Sequence, residues 1–507
     1  MKDNVHPITP HGAPHTASDS MGEVEIPDGA RWGAQTARSL HFFAIGEQRM
    51  PIELIRAMAL IKWAAAAVNG ELDLLDPTHA QAIAEAARRV AEGEFDTQFP
   101  LSVWQTGSGT QSHMNVNEVI ADIATQSLQQ GLHGARGVDA HDDVNLGQSS
   151  NDVFPSAMHI AVALQIKSRL LPALQDLRGA LAAQSVALTD VVKVGRTHLQ
   201  DATPVTLGQE FGGYEAQLAL CENALLQALP AVHTLALGGT AVGTGLNTHP
   251  QFGARVAARL AQRLQLPLVQ AGNLFAAMAG HEALVALHGA LRMLAIALTK
   301  IACDIRLMGS GPRAGLGELR LPANEPGSSI MPGKVNPTQV EAITMVCAQV
   351  MGHDTAIGFA ASQGQLELNV YKPLIALDTL DSLRLLSDAM RSFTWHCISG
   401  LKPDEPHLRS LLQDSLMLGT ALAPYIGHDA AARVAQRAQD DGSSVRAAAL
   451  ALGVASAEQF DRWADPQRML APRSPASTPP AAAGSPAHRP AATPPASSGH
   501  DASSPRR

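Results

Sequence analysis

The sequence predicts an all-α protein built around a bundle of long helices, and three observations carry that reading. Aromatic residues supply only 4% of the 507 residues, while Ala and Leu abound, a bias that favours helix over sheet. Leu284, Leu287, Leu291, Leu294, Leu298, Ile301, Ile305 and Met308 follow one another in unbroken steps of three and four. Such a stripe is the seam of a helix packed along its whole length. Polar stretches rich in Gly and Asn fall between the helical patterns, at Thr106 to Asn117, Gln148 to Phe154, Gly195 to Pro204, Ala236 to Pro250 and Glu325 to Pro337. A rigid helical frame carrying polar loops is a layout in which binding and catalytic groups sit on the loops.

Taken in order, residues 1–20 are polar and rich in His and Pro, and are expected to be flexible. Asp76 before Pro77 reads as an N-cap and N1 pair, opening a helix that fades near Gly93. From Met158 the apolar positions Val162, Ile166, Leu170, Leu174, Leu177 and Leu181 mark a second long helix. A helix over the 284–308 seam, near 30 residues, would be about 45 Å long. That exceeds what one compact subunit usually hides, so the stripe predicts a bundle shared between subunits; a monomeric bundle is the alternative. A chain of this length is expected to divide: residues 21–149, a central long-helix part over 150–406 and a small helical part over 407–470. From Ala471 to Arg507 the composition turns to Pro, Ala and Ser without apolar periodicity. A disordered tail is expected there, with a linker as the sharper alternative.

The net charge of −9 with no basic run argues against a nucleic-acid partner. Cys221, Cys303, Cys347 and Cys397 form no C-x-x-C pair, so neither a zinc site nor a disulfide framework is expected. The 20 histidines are scattered without ligand spacing, His11 and His15 among them, and no metal or other cofactor is expected. The first thirty residues lack an apolar signal-peptide core. No uncharged apolar run approaches the roughly 18 residues of a membrane span. A cytoplasmic protein without a membrane partner is the expectation.

The most informative segment is Gly327-Ser328-Ser329-Ile330-Met331-Pro332-Gly333-Lys334-Val335-Asn336-Pro337. It is not a nucleotide-binding P-loop, because five residues separate its glycines and Val335 follows Lys334 where Ser or Thr is required. What remains is a Gly-flanked loop offering two hydroxyls and an amine before a helix that starts near Pro337, a combination suited to an anion.

This segment resembles the signature loop of the fumarase/aspartase superfamily. TGSGTQSHMNVNE at 106–118, QSSND at 148–152 and GRTHLQDATP at 195–204 match the same superfamily in its order and spacing, and the similarity runs from about Met21 to Met469. Gly195-Arg196-Thr197-His198-Leu199-Gln200-Asp201 and Glu367-Leu368-Asn369-Val370 look more like class II fumarases than like aspartases or argininosuccinate lyases. The resemblance implies a three-part subunit that assembles as a homotetramer, with each active site drawn from three subunits. It also implies addition of water to fumarate, giving (S)-malate, within the citric acid cycle.

That chemistry removes a weakly acidic C–H proton beside a carboxylate, which then carries double negative charge as an aci-carboxylate, so fixed donors around it are the main source of rate. Lys334, Asn336 and the loop amides have that character. The resemblance assigns Ser328 as the base, its alkoxide stabilised by loop amides and Lys334. His198 is suited to handle the water, and by resemblance Glu341 pairs with it. Ser108, Gly109, Thr110, Ser149, Ser150, Asn151, Thr197 and Ser329, with Asn336, are expected to hold the substrate carboxylates. Taken singly, Ser, Thr and Asn at such places are commonly caps or turn residues.

Three places depart from the fumarase pattern. His113 and Asp122 each stand where Asn is expected. Asp139-Ala140-His141-Asp142 replaces His-Pro-Asn-Asp at a secondary dicarboxylate site that also includes Arg136, bringing negative charge where an anion should be drawn. Two rivals follow: an ammonia-lyase acting on aspartate, against which the GRTHLQD segment leans, and a non-catalytic paralogue.

Overall fold

A computed structural model describes residues 15–131 and 136–472, so the expectations for the first residues and the tail fall largely outside the described residues. Helices make up 63% of it, and the expected all-α class holds. An antiparallel hairpin of β1 (His15–Asp19) and β2 (Gly22–Ile26) comes first. Arg38 of α1 (Ala34–Phe42) clamps Asp19 at 2.9 and 3.0 Å, so β1 lies within the segment expected to be flexible.

Next come α2 (Ile52–Glu71), α3 (Pro77–Ala91), α4 (Thr110–Gly131) and α5 (Ser150–Gln165). The Asp76 carboxylate accepts from the Thr78 and His79 amides, with Pro77 at N1, so α3 opens where the sequence places it. A π-helical turn at Ile166–Leu170 carries α5 into α6 (Leu171–Ala187), and the stripe from Val162 to Leu181 is buried throughout. β3 (Val192–Thr197) and β4 (Gln200–Thr206) form a hairpin before α7 (Leu207–Val232). A short parallel pair, β5 (Thr234–Leu235) and β6 (Val269–Gln270), brackets α8 (Phe252–Leu264). Then follow α9 (Leu274–Ala279), α10 (Glu282–Met308), α11 (Thr338–Ala361) and α12 (Lys372–His396). The chain ends in α13 (Glu405–Asp414), α14 (Ala423–Ile426), α15 (His428–Asp441), α16 (Val445–Ala451) and α17 (Ala457–Trp463).

Two of the stretches expected as loops begin helices instead, because Ser108 and Ser149 place polar side chains at the starts of α4 and α5. A third, Gly195 to Pro204, is the β3–β4 hairpin. Its alternating Val192, Val194 and Val205 suit a pleated ribbon, and Val194 is buried.

The described residues form two compact units, one within 15–191 and 207–407, the other within 192–206 and 408–472. In the first, α6, α7, α10, α11 and α12 close a bundle, and α5 packs on α2 and α12. Helix α10 is long and apolar enough to cross a membrane by length and composition, but its seam is buried on α7 and α11. Every residue of that seam, Leu284 to Met308, is at most 5% exposed within one chain. The seam therefore does not supply the argument for a shared bundle, because periodicity reports that a stripe is covered and not which chain covers it. The apolar residues left outside are others, including Leu220 on α7, Ile296 on α10, and Met345 and Phe359 on α11. In the second unit, Val194 of the hairpin packs on Leu412 and Leu418, beside a core of Leu422, Val434, Ala438, Val445 and Phe460.

Candidate active site

The starts of α4 and α5 form one rim. Gly107 comes so close to the strand-like segment before α12 that a Cβ there would lie 1.4 Å from the Val370 carbonyl oxygen. The Lys372 amide donates to the Gly107 carbonyl at 3.1 Å. Ser108 Oγ and Thr110 Oγ1 are hydrogen-bonded at 2.8 Å. Ser149 caps α5, its Oγ accepting from the Asn151 amide at 3.2 Å, while Asp152 accepts from the Ser149 amide at 3.0 Å. The other Asp152 oxygen accepts from the amides of Gly238 and Thr240, both at 3.0 Å. Asn151 Nδ2 donates to the Ala241 carbonyl at 2.8 Å, so the 236–250 loop is fastened to the start of α5. Burial pushes the Asp152 carboxyl up to about 6, against the pull of those three amides and of Lys62.

Beneath the rim lies a group that the sequence reading missed. Lys62, wholly buried on α2, places Nζ 2.7 Å from His113 Nε2 and 3.0 Å from Asn145 Oδ1. Burial drives both Lys62 and His113 toward their neutral forms. The available signal was a lone charge inside the apolar run Leu60-Ile61-Lys62-Trp63-Ala64.

The 325–337 loop is built differently. Ser328 Oγ accepts from the amides of Ile330 and Met331 at 3.3 and 3.1 Å, the arrangement an alkoxide at that oxygen would require. The Gly327 amide donates to the Lys334 carbonyl at 3.0 Å, and the Asn336 side-chain amide donates to the Gly327 carbonyl. Asn336 is thus engaged in closing the loop. Ser329, Lys334 and, on the first turn of α11, Glu341 are exposed, and their side chains have no partner among the described residues. An open cavity of about 430 Å³ lies along the loop, lined by Ser328, Lys334 and their neighbours.

His198 and Leu199 form the two-residue tip of the β3–β4 hairpin, between paired Thr197 and Gln200. Both tip residues are left-handed, with φ of 56° and 60°, a turn that usually employs Asn or Gly. Thr197 and His198 are exposed. Strain of this kind persists where its surroundings over-determine it, and it clusters at functional positions.

Within the first unit the rim and the loop do not meet. The rim touches the start of α12 through Gly107, whereas Asn324 Nδ2 donates to the carbonyl of His396 at its other end, and Ser392 Oγ donates to Gln339 at 2.7 Å. Helix α12 has 25 residues, which at 1.5 Å each separates the two by roughly 37 Å.

A family described as lyase matches residues 22–352, and one described as fumarase C C-terminus matches residues 418–471. A fumarate hydratase class II of Chromobacterium violaceum is 58% identical over 453 residues, covering 89% of this chain and 98% of that protein. The chain belongs to the class II fumarases. A fumarate hydratase class II of Pseudomonas aeruginosa is 56% identical, over 90% of this chain and 98% of its own length. The crystal structure of a class II fumarase from Schistosoma mansoni superimposes with a TM-score of 0.87 at 42% identity, covering 90% of this chain and 99% of that one.

Against the fumarase pattern, the three departures now have surroundings. Asp122 pairs with Arg31 at 2.6 Å. His113 points into the protein, toward Lys62. At the secondary site, the Arg136 guanidinium is held by both oxygens of Asp143 at 2.7 and 2.8 Å. The Asp139 carboxylate accepts from the His141 and Asp142 amides at 2.7 and 2.8 Å, and His141 Nε2 lies 2.7 Å from the Gln35 amide. One arginine among Asp139, Asp142 and Asp143 leaves residues 136–143 without a free cation for a second dicarboxylate.

Proposed function

We propose that this chain, a fumarate hydratase, interconverts fumarate and (S)-malate by anti addition and elimination of water at sites completed between the subunits of a homotetramer. In dehydration, Ser328 Oγ as alkoxide takes the C–H proton, and the electron pair spreads into the adjacent carboxylate. The C–O bond then breaks and the departing hydroxide takes a proton from His198, leaving water and fumarate; hydration runs the same steps backward. The Ile330 and Met331 amides on Ser328 Oγ are the observation that carries this reading, because they favour the charged form of an otherwise weak base. Lys334 supplies the positive charge for the aci-carboxylate, and Glu341 fixes the His198 tautomer. Ser108, Thr110, Ser149, Ser150, Asn151, Thr197, Ser329 and Asn336 hold the two carboxylates through neutral donors, which permit release of a dianion, while the Gly109 amide donates to the Thr106 carbonyl at 2.9 Å. The roughly 37 Å that α12 puts between rim and loop supports completion by neighbouring subunits, since one chain does not bring both to one substrate.

The test follows ultraviolet absorbance of fumarate with purified protein and malate, beside Ser328→Ala. Fumarate is expected to appear with the wild type and to fall by about a thousandfold in rate in the variant. Turnover of aspartate instead of malate would replace this reading with the ammonia-lyase one, and no turnover of either would leave the non-catalytic one.

A further inference from the structure

We propose that His113 is a positioning residue for the substrate-carboxylate rim, a fixed neutral acceptor that seats the buried amine of Lys62 and through it the start of α5. The inference rests on the binding role proposed above for Ser149 to Asn151. Its basis is a connected path. Nε2 of His113, 1% exposed on α4, lies 2.7 Å from Lys62 Nζ, and that same amine nitrogen donates to Asn145 Oδ1 at 3.0 Å. Asn145 Nδ2 donates to the Gln148 carbonyl at 3.2 Å, and Gln148 Nε2 folds back on the carbonyls of Val144 and Leu146. The next residue is Ser149, the cap of α5. Three elements are therefore held in register by one nitrogen that reaches no solvent.

An acceptor at Nε2 requires the imidazole proton on Nδ1, and Nδ1 is buried without a partner. A second ring proton would set a cation 2.7 Å from Lys62 Nζ. The titratable groups acting on the ring are Lys62 from α2 and His141 from the 139–142 turn, and Asp152 from α5 acts on Lys62. Only Asp152 is acidic, and it already accepts from three backbone amides. The ring consequently stays neutral, which burial and the neighbouring Lys62 reinforce by holding its pKa well below the usual histidine value. It acts by reach and acceptor character, not by carrying protons.

The experiment compares wild type with His113→Leu, His113→Gln and His113→Asn, measuring KM and kcat for malate, thermal midpoint, and the pH dependence of rate. Leu removes the acceptor; KM should rise about tenfold with kcat within about twofold, since a loosened rim weakens substrate and transition state alike. Gln, whose amide oxygen reaches the Nε2 position, should restore KM, and its pH profile should superimpose on that of the wild type between about pH 6 and 9. Asn is too short and should resemble Leu. A lowered thermal midpoint with unchanged KM in Leu would reduce His113 to a packing residue, and Asn equal to wild type would remove the argument from reach. A pH limb lost in Gln would make His113 a proton carrier and overturn the proposal. Should the Leu variant fail to fold, Gln against Asn decides. A wild type without malate turnover would sink the reading of function itself, an outcome distinct from an active enzyme whose KM ignores position 113.

Discussion

The rim at the starts of α4 and α5 and the loop at 325–337 carry the same kinds of groups, hydroxyls, amides and one lysine each, yet they are finished to different degrees. At the rim several polar groups are already engaged: Ser149 caps a helix, Asn151 holds Ala241, Asp152 gathers three amides, and Lys62 is buried on His113 and Asn145. In the loop the backbone, Ser328 Oγ and Asn336 are tied, while Lys334 and Ser329 are exposed. One region is organised by its own chain and the other presents its groups outward. Changes at the rim should therefore register in stability and binding together, and changes of the loop's exposed side chains in rate.

The sharpest way to break that contrast is Lys334→Met. Because the ammonium has no partner among the described residues, kcat should fall about a thousandfold while the thermal midpoint stays within about 1 °C; a large loss of stability would show the loop to be a structural element after all. Gly107→Ala is the counterpart at the rim. A Cβ placed 1.4 Å from the Val370 oxygen forces backbone movement, and chemical denaturation should report a loss of roughly 3 kcal/mol.

The helix that starts at the rim also sets a pH dependence of stability. His159 on α5 is partly buried, its Nδ1 2.9 Å from the Thr234 carbonyl, and desolvation lowers its pKa to about 4. The unfolded chain takes the proton below its ordinary value near 6.5 and the folded chain does not, so stability present above about 6.5 is lost as pH falls toward 4. The expected loss is about 3 kcal/mol per chain, and His159→Asn should flatten the slope of midpoint against pH over that window. Smallest of all is Gly333→Ala in the loop. Nothing lies within 4 Å of its Cβ position, and only its φ of +78° resists, so about 1 kcal/mol is expected, well short of Gly107→Ala.

Local signals were legible in the sequence where a few neighbouring residues sufficed. Asp76 with Pro77 opens α3 at the expected place, and the 284–308 spacing marks a buried stripe because helical geometry fixes which residues share a face. Three things were not legible. The β3–β4 hairpin escaped because its tip is His198-Leu199, without the Gly or Asn that marks such a turn. The partner of His113 lies 51 residues away on another helix, and no local pattern encodes that meeting. The covering of the α10 seam was assigned to a second chain, although α7 and α11 of the same chain supply it. Of the proposed site, motif resemblance suggests the residues; distances and partners came only from the fold.

The length of α12 has a consequence for how turnover scales with amount. A lone chain in the proposed assembly carries every reacting group and no complete site, so activity belongs to the oligomer and not to the polypeptide. On serial dilution, specific activity should hold constant and then fall more steeply than linearly once subunits part, and malate, by bridging groups from different chains, should delay that fall.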